Sequence, residues 1–417
     1  MDCRVCGKSN QPFMTFGRMP IANGFIKKGE EEKEQFFELK PVFCSECFTF
    51  QISEQPDPSL MFHDNYAFFS RTSKAMIEHF QVFSEYLKKE LMPNEKSFIV
   101  ELGSNDGILL ENFARDGIRH LGVEPSKNVA DVAKERGVNT LNEFFNITTA
   151  NNIRKNYGQC DVLVAANVMC HIPNINEIAE AAAALIRDGG FLVFEDPYLG
   201  SMIEKVSYDQ LYDEHVFMFS IHSVENIFSK FGLVLHDAQF QKTHGGSMRY
   251  ILKKAKAKTL TQKVKKMKEE EARFGLNNSD TYFKFAEECE ASKIKFLKKL
   301  QELKAKGKTI VGYGATSKST TILNYCGIGI ELIDYISDTT PIKQNKLSPG
   351  MHIPIKDYSY FDENPSDAVV IFAWNHFKEI LEKENAKRHF DIVWISHIDE
   401  KFIFPGVGYD SFIEPTS

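Results

Sequence analysis

The sequence predicts an α/β protein in which two doubly wound parallel sheets follow a cysteine-rich N-terminal module. Two Cys-x-x-Cys pairs lie within the first 50 residues, and short apolar runs alternate with amphipathic stretches over residues 97–250. A second alternation of this kind begins at Lys308. The Lys- and Glu-rich segment before it, residues 253–308, has helical spacing and predicts linking helices. We therefore expect three domains, at residues 1–75, 76–252 and 253–417.

Composition limits the classes of function. The 417 residues are 43% apolar and 26% charged, which is typical of a globular protein. The net charge of −7 gives no general attraction for nucleic acid. The longest apolar runs, such as residues 368–374, are far shorter than the ~20 residues that span a bilayer. The N-terminus lacks a basic segment followed by an apolar one, so we expect a cytoplasmic protein with reduced thiols and no membrane partner.

The paired cysteines predict a structural zinc site. Cys3-x-x-Cys6 and Cys44-x-x-Cys47 each place two thiols on one tight turn, as a tetrahedral Zn²⁺ site requires, although a redox pair has the same spacing. Four thiolates fill the coordination sphere and leave no catalytic position. The acidic residues 30–32 in the intervening loop disfavour a phosphate-binding surface. The other cysteines are isolated in apolar or helical context: Cys160, Cys170, Cys289 and Cys326.

A glycine-containing loop follows the first predicted strand of the central sheet. Residues 98–102 predict a buried parallel strand. Residues 103–107 predict a loop that connects this strand to a helix expected to start near Ile108. A dinucleotide-binding loop needs glycine at its middle position, where the backbone approaches a pyrophosphate, and Asn105 stands there instead. S-adenosylmethionine carries no phosphate and tolerates this change. The loop therefore predicts S-adenosylmethionine as the cofactor.

Polar residues at the ends of the following strands predict one ligand-binding crevice. The strand at 120–123 ends at Glu124, 21 residues after Gly103, where an acid can accept the ribose hydroxyls. The strand at 161–166 ends at Asn167, and the strand at 191–194 runs into Glu195-Asp196-Pro197. Ligands of open α/β sheets bind beyond the carboxyl ends of the strands, so these side chains should converge.

Several titratable side chains suggest a proton-transfer site near that crevice. Residues 212–215 (Tyr-Asp-Glu-His) follow the sheet, and imidazole titrates near neutrality, with a pKa of about 6.5. His171 follows another strand. The segment 244–249 adds a histidine on a glycine turn and an arginine suited to a phosphate or carboxylate. Together these groups predict acid–base chemistry.

A second glycine loop begins the C-terminal alternation. Residues 312–318 (Gly-Tyr-Gly-Ala-Thr-Ser-Lys) follow a strand and open a helix, and they offer amides, hydroxyls and one lysine to a diphosphate. Ser317 stands where a dinucleotide fingerprint has its third glycine, so NAD is the weaker expectation for this loop. Later strands are expected at 332–337, 368–374 and 391–396.

The ordered set of motifs resembles the nucleotide-sugar C-methyltransferases over nearly the whole chain. The set comprises both cysteine pairs, residues 20–23 (PIAN), Tyr66 with Ser70, residues 101–107 (ELGSNDG), 212–215, 244–247 (HGGS), 312–315 (GYGA), 343–344 (KQ) and 349–350 (PG). The resemblance implies an N-terminal zinc-binding domain, a central Rossmann-like S-adenosylmethionine domain and a C-terminal Rossmann-like domain for the nucleotide sugar. The implied substrate is a nucleoside-diphosphate 4-keto-6-deoxysugar, most often linked to thymidine diphosphate, methylated beside the ketone, at C3.

The resemblance also implies roles for individual residues. His215 is the expected base and Glu214 its orienter, while Tyr212 and His171 lie near the sugar. The expected substrate contacts are Tyr66, Ser70, His244, Ser247, Arg249, Gly314 and Lys318. The expected cofactor contacts are Glu101, Gly103, Asn105, Gly107, Glu124, Pro125, Phe145 and Asn167. The expected zinc ligands are Cys3, Cys6, Cys44 and Cys47.

Some positions depart from the family pattern. Asp213 stands where the family usually has His, and Met218 and Phe68 stand where it often has Tyr. These changes leave open which sugar and which carbon are used. The alternatives are an NAD-dependent sugar-nucleotide dehydrogenase, a zinc-ribbon interaction protein without activity, and a methyltransferase for an oxygen or a non-sugar acceptor. We expect a monomer or a weak homo-oligomer.

Overall fold

The computed structural model describes residues 1–57, 70–72, 74–256, 259–385, 392–399 and 403, and it confirms the predicted α/β fold class. β1 pairs antiparallel with β2, and β3 and β4 form a hairpin whose turn carries the second cysteine pair. This hairpin positions the N-terminal module against the rest of the chain. The N-terminal strands are β1 (Arg18–Pro20), β2 (Phe36–Glu38), β3 (Pro41–Cys44) and β4 (Thr49–Ile52).

A seven-stranded sheet forms the central part, in the order β11-β12-β9-β8-β5-β6-β7. The strands from β9 to β7 run parallel, whereas β12 runs antiparallel to both β9 and β11. Its elements are α1 (Lys74–Tyr86), β5 (Phe98–Leu102), α2 (Glu111–Arg115), β6 (Arg119–Val123), α3 (Lys127–Glu135), β7 (Thr140–Leu141), α4 (Ile147–Tyr157), β8 (Cys160–Ala166), α5 (Ile175–Leu185), β9 (Ile186–Pro197), α6 (Leu199–Lys205), β10 (Phe217–Met218), α7 (Ile221–Phe228), β11 (Leu233–Gln241) and β12 (Ser247–Lys254).

Two predictions about this sheet need correction. The helix expected near Ile108 begins at Glu111, because Gly107 has φ +76° and residues 108–110 still form turns. β9 is much longer than residues 191–194, because the antiparallel partner β12 pairs with it as far as Pro197. Residues 195–197 therefore lie within a strand, and of the predicted glycine turn at 244–249 only 244–246 is a turn.

The C-terminal part is a second parallel sheet, in the order β15-β14-β13-β16-β17. Two helices precede it, as the Lys- and Glu-rich segment predicts. Its strands are shorter than predicted, β15 was not predicted, and Asp391 lies outside the described residues. The elements are α8 (Gln262–Phe274), α9 (Ser279–Ala305), β13 (Ile310–Tyr313), α10 (Ser317–Cys326), β14 (Ile336–Ser337), β15 (Ile355–Lys356), α11 (Tyr358–Glu363), β16 (Ala368–Ile371), α12 (Phe377–Asn385) and β17 (Val393–Ile395).

The three parts meet around the segment that precedes β10. β10 pairs with β4, so the central part supplies a strand to the N-terminal sheet. On α10, the hydroxyl of Thr320 donates to the carbonyl of Ala22, and the hydroxyl of Thr321 donates to the carbonyl of Leu211, each over 2.8 Å. The division at 75/76 and 252/253 remains a prediction. Among the described residues, every helix is too short or too polar to cross a bilayer.

Candidate active site

The two cysteine pairs converge on one point of the N-terminal part. The sulfurs of Cys3 and Cys47 are 3.5 Å apart, as are those of Cys6 and Cys44, and all four lie within 4.8 Å of one another. Tetrahedral Zn–S bonds of about 2.3 Å separate the sulfurs by about 3.8 Å. The four thiols therefore fit a Zn²⁺ ion and leave no open coordination position.

The predicted cofactor loop follows β5 and is held by Glu124. The carboxylate of Glu124, directly after β6, accepts hydrogen bonds from the amides of Asn105 (2.9 Å) and Ser126 (2.8 Å). Gly103 has φ +60°, and a Cβ at that position would lie 2.4 Å from a methyl carbon of Val168. Only glycine fits there. The acid and the glycine together fix the path of the loop.

Buried carboxyl groups beside this loop fit the polar groups of S-adenosylmethionine. Glu101 is buried, and its Oε2 has no hydrogen-bond partner among the described residues. Burial and the nearby charge of Glu124 raise its pKa well above the usual range. Each carboxylate oxygen of Glu124 accepts a hydrogen bond from one amide. Each keeps a second lone pair that can accept from a ribose hydroxyl. These residues can therefore hold the ribose and one further hydrogen-bond donor of the cofactor.

Three other predicted cofactor residues surround the same strand ends. The side-chain amide of Asn142 donates to the carbonyl of Pro125 over 2.8 Å. Asn167 follows β8 with φ +57°, and its amide donates to the carbonyl of Glu195 over 2.7 Å. Phe145 packs against the core of the central sheet. Their contacts with a cofactor stay predictions.

Ser70 lies against the cofactor loop, and its predicted contact with the substrate stays a prediction. Its amide donates to Asn105 Oδ1, and the next amide, of Arg71, donates to Asp106 Oδ2, each over 3.1 Å. Two side chains of the loop thus hold the turn that precedes α1. Tyr66 lies outside the described residues.

His215 is buried and has both ring nitrogens engaged. A carbonyl can only accept, so Nδ1 carries the proton that it donates to the oxygen of Gln210 over 2.6 Å. Nε2 then accepts from the hydroxyl of Tyr212 over 2.8 Å. Burial, followed by the influence of His171, lowers the pKa of His215 well below its usual value. The imidazole is therefore neutral near pH 7, as a base must be.

The expected role of Glu214 as orienter of this imidazole is wrong. Its Oε1 accepts from the side-chain amide of Asn23 over 2.7 Å, and neighbouring Asp213 accepts from the amide of Ala22 over 3.0 Å. Burial raises the pKa of Glu214 to about 7, and burial together with Glu214 raises that of Asp213 to about 8. Both acids hold the N-terminal loop, and the carbonyl of Gln210 orients the imidazole instead.

The other predicted histidines lie around His215. The rings of His171 and His215 stack with centroids 5.3 Å apart, and burial lowers the pKa of His171 to about 4. The carbonyl of His244 accepts from the side-chain amide of Gln210 over 2.6 Å. Gln210 therefore joins two predicted site residues, although no sequence motif marks it. Ser247, at the start of β12, is buried and donates to the carbonyl of Thr243 over 3.1 Å.

Arg249 was predicted to contact the substrate, and its side chain forms contacts within the protein. It lies opposite Glu195 in the register of β12 and β9, and its guanidinium contacts Glu195 Oε1 at 2.5 Å. It also lies 3.8 Å over the ring of Phe83. His79 contacts the other oxygen of Glu195 at 2.6 Å. The arginine thus joins α1 to the sheet, a role that follows from the strand register and not from the glycine turn.

The second glycine loop has the expected strand-to-helix geometry. Gly314 has φ +89°, and its amide donates to the carbonyl of Ser337 over 2.8 Å. Asp338, at the end of β14, accepts from the amide of Ala315 over 2.8 Å. The Thr316 hydroxyl caps α10. This arrangement is the counterpart of Asn105 and Glu124 in the central sheet.

Lys318 extends from α10 toward the histidines. Its ammonium group lies 5.0 Å over Trp374 and 3.4 Å from the side-chain oxygen of Asn375. Burial lowers its pKa, the charge of Asp209 opposes this shift, and the charge of Lys205 adds to it. Lys205 itself donates to the carbonyl of Gly245. Two cations from different parts of the chain therefore face one region, a pattern that favours an anionic ligand.

Comparisons with known proteins agree with this geometry. The sequence pattern of a C-methyltransferase C-terminal domain matches residues 242–398, that of a methyltransferase domain matches 70–238, and that of a zinc-binding domain matches 3–62. The chain is 30% identical over 388 residues to the C-methyltransferase NovU of Streptomyces niveus, covering 92% of each chain.

More distant similarities cover less than half of the chain. The ubiquinone biosynthesis O-methyltransferase of Shewanella halifaxensis is 28% identical over 98 residues, which are 23% of this chain and 42% of that protein. The solved structure of magnesium protoporphyrin IX methyltransferase from Synechocystis PCC 6803 with bound SAH is 12% identical, with a TM-score of 0.35. That match covers 44% of this chain and 89% of the other.

Proposed function

The chain belongs to the C-methyltransferases, and on that premise we propose that it methylates C3 of a nucleoside-diphosphate 4-keto-6-deoxysugar, with His215 as the base. S-adenosylmethionine is its methyl donor, and its zinc ion is structural. We propose thymidine diphosphate as the nucleotide carrier, the cytoplasm as the location, and a monomer or weak homo-oligomer as the active form. The observation that carries the proposal is the neutral, oriented imidazole of His215.

His215 is suited to remove a proton from carbon. A C4 ketone acidifies the hydrogen on the adjacent carbon, and a positioned neutral base can take it. The carbonyl of Gln210 holds the Nδ1 proton, so the lone pair of Nε2 points toward Tyr212. We propose that the sugar displaces the Tyr212 hydroxyl from Nε2 and brings its C3 hydrogen to that nitrogen.

A nearby hydroxyl group can stabilise the enolate that results. The Tyr212 hydroxyl, once released from Nε2, can donate to the developing oxyanion at C4. His171 stacks on the base and limits access of water from that side. The bound cofactor supplies an electrophilic methyl group on a sulfonium ion. The task of the chain is to position the enolate carbon toward that methyl and to exclude water.

The two lysines support a diphosphate-linked substrate. Lys318 is half-buried at the start of α10, and Lys205 approaches from α6. Asp209 balances part of this positive charge, and a diphosphate would neutralise the remainder. The amides of residues 314–316 donate within the protein, so the groups at this end of α10 that can donate to an anion are the hydroxyls of Thr316 and Ser317.

Family membership overturns the alternatives of an NAD-dependent dehydrogenase, a non-enzymatic zinc protein and an O-methyltransferase. A non-sugar carbon acid remains the second candidate, since a neutral imidazole would serve it equally well. That candidate gives no reason for the facing lysines Lys205 and Lys318.

Hydrogen exchange tests the proposal. Wild-type protein with S-adenosylhomocysteine, which cannot donate a methyl group, is incubated in D₂O with thymidine-diphosphate 4-keto-6-deoxyglucose and its 2-deoxy counterpart. We expect deuterium at C3 by NMR, and a C3-methylated product by mass spectrometry when S-adenosylmethionine replaces the inert cofactor. An O-methylated product, or exchange at no carbon in either sugar, would overturn the proposal.

Two variants assign the base. His215→Ala should abolish the exchange and lower turnover by about 10²–10⁴. His236→Ala, on the exposed face of β11, is the matched control and should behave like wild type. If His215→Ala retains exchange and turnover, the base is Tyr212, His171 or His244, and the carbon-methylation proposal stands.

A further inference from the structure

A second group of metal-binding side chains lies within the methylation pocket. Cys170 and His171 occupy the short helical turn Met169–His171 after β8, and His215 packs against them. One ligand atom from each of the three lies within 4.8 Å of the others. We infer that Cys170, His171 and His215 form a second metal site, which captures a soft divalent ion such as Zn²⁺ when the pocket holds no substrate and thereby inhibits the enzyme.

The donor set matches the coordination chemistry of zinc. One thiolate and two imidazoles are preferred ligands of Zn²⁺ and Co²⁺. A tetrahedral ion with Zn–N and Zn–S bonds of about 2.0–2.3 Å holds its ligand atoms about 3.3–3.8 Å apart. The three donors must therefore move inward by about 1 Å at most, which small side-chain rotations provide.

Asp196 places a carboxyl group beside the same donors. It is fully buried in β9, where the thiol and amide of Cys170 and the main chain of Val168 lie beside its oxygens. A buried carboxylate is costly unless a cation balances its charge. Asp196 can lose its proton to solvent as the ion binds, and it then serves as the fourth ligand or as the counter-charge of the ion. Glu214 lies near the thiol as well.

When the ion binds, Cys170 and His215 exchange their present partners for the metal, and the imidazole of His215 keeps its orientation. The thiol of Cys170 gives up its proton to solvent and forms a sulfur–metal bond. The lone pair of His215 Nε2, now accepting from Tyr212, turns to the metal, while Nδ1 keeps its hydrogen bond to Gln210. Such an outer hydrogen bond fixes the tautomer of a metal-binding histidine.

The inhibitory effect rests on the proposed role of His215, whereas the binding itself does not. A metal-bound Nε2 has no lone pair for a proton on carbon. The ion and the sugar therefore compete for the same nitrogen. The site is distinct from the four-cysteine cluster, which lies in the N-terminal part.

Metal content and a cobalt spectrum test the binding. Purified protein with its structural zinc is incubated with Zn²⁺ and desalted, and we expect about two metal ions per chain in wild type and about one in Cys170→Ala. Co²⁺ added to the purified protein should give the visible bands of a tetrahedral thiolate site in wild type and not in Cys170→Ala. Cys160→Ala, which removes a buried cysteine at the start of β8, is the matched control and should retain both signals.

Turnover, measured with a chelator and then with added Zn²⁺, tests the consequence. Normalised to its own rate with chelator, wild type should lose at least about 90% of its activity, and Cys170→Ala should need at least about tenfold more Zn²⁺ for the same loss. If Cys170→Ala does not fold, His171→Ala replaces it in the metal measurements. The site is overturned if no second ion binds, or if it binds equally to the variant. A second ion that binds but leaves turnover unchanged overturns the inhibition, and exchange in D₂O then shows separately whether His215 is the base.

Discussion

The amide of Ile52 donates a hydrogen bond of 2.9 Å to the carbonyl of Val216, the residue that follows His215. β4, to which Ile52 belongs, follows the turn that carries Cys47, so a hairpin closed by zinc ligands positions the backbone beside the proposed base. The metal site and the reaction site are connected through one strand.

Loss of zinc should therefore affect turnover as well as the N-terminal part. Cys44→Ser is expected to reduce zinc from about one ion per chain to none by elemental analysis. Because a displacement of about 1 Å at a base costs about 100-fold in rate, kcat should fall by up to that factor while affinity for S-adenosylmethionine is kept. Cys289→Ser, within α9, is the control. Full zinc content in Cys44→Ser would contradict the assignment of the cluster.

Removal of the Glu124 carboxylate should weaken cofactor binding. Glu124→Ala removes the acceptor of two loop amides together with the proposed ribose contact, and hydrogen bonds to a charged group contribute about 1.5–3 kcal/mol. Titration calorimetry should show a Kd for S-adenosylmethionine raised by about 10- to 150-fold. Glu135→Ala, at the exposed end of α3, should leave the Kd unchanged. Equal affinities in both variants would show that Glu124 does not contribute to cofactor binding.

Removal of the Lys318 charge should raise KM for the sugar nucleotide and leave cofactor affinity unchanged. A charge-assisted contact with phosphate contributes about 1.5–3 kcal/mol, so Lys318→Gln should raise KM by about 10- to 150-fold. Lys298→Gln removes an exposed lysine of α9 and serves as the control. Steady-state kinetics distinguish the outcomes. A lower kcat at constant KM would place Lys318 beside the reacting atoms and not at the diphosphate.

Arg249 should prove important for stability. Its guanidinium and the carboxylate of Glu195 are both buried, and removing one partner of such a pair costs about 3–5 kcal/mol. Arg249→Met should lower the free energy of unfolding by that amount in denaturant titrations, whereas Arg273→Met, at an exposed site on α8, should change it little. Unchanged stability with a raised KM would restore Arg249 as a substrate contact.

The stability of the protein should fall between about pH 4 and pH 8 through Asp213. Burial and Glu214 raise the pKa of Asp213 from 3.8 to about 8 in the folded chain. The folded state therefore retains a proton that the unfolded chain has lost, and each pH unit within this window costs about 1.4 kcal/mol. Asp213→Asn keeps an oxygen for the amide of Ala22 and should flatten this slope in melting curves. The exposed substitution Asp188→Asn should leave it unchanged.

Sequence reasoning worked where a side chain carries the signal through its own chemistry. The Cys-x-x-Cys spacing led to the zinc cluster, and β5 has the predicted bounds Phe98–Leu102 because a buried parallel strand is a continuous apolar run. The acid Glu124 lies at the loop for a similar reason, since its position at a strand end fixes where its carboxylate can reach.

The sequence was less informative where a site residue contacts a main-chain group or a residue of a distant strand. Glu214 adjoins His215 in the chain, but adjacent residues on an irregular segment point in different directions, and the orienting group is the carbonyl of Gln210. Any residue could supply that carbonyl, so no side-chain pattern marks it. Arg249 was predicted to lie on a turn. The antiparallel pairing of β12 with β9, which places it in a strand, is a long-range contact that the local sequence does not show.

The hydroxyls of Thr320 and Thr321 have a consequence for protein engineering. Through them, α10 holds the carbonyls of Ala22 and Leu211, so both flanks of the reaction site depend on a helix more than 100 residues later in the chain than either. A chimaera that exchanges only residues 253–417 between two homologues would separate these partners. When acceptor specificity is redesigned, three segments should be exchanged together. They are residues 20–23, 209–215 and 314–321.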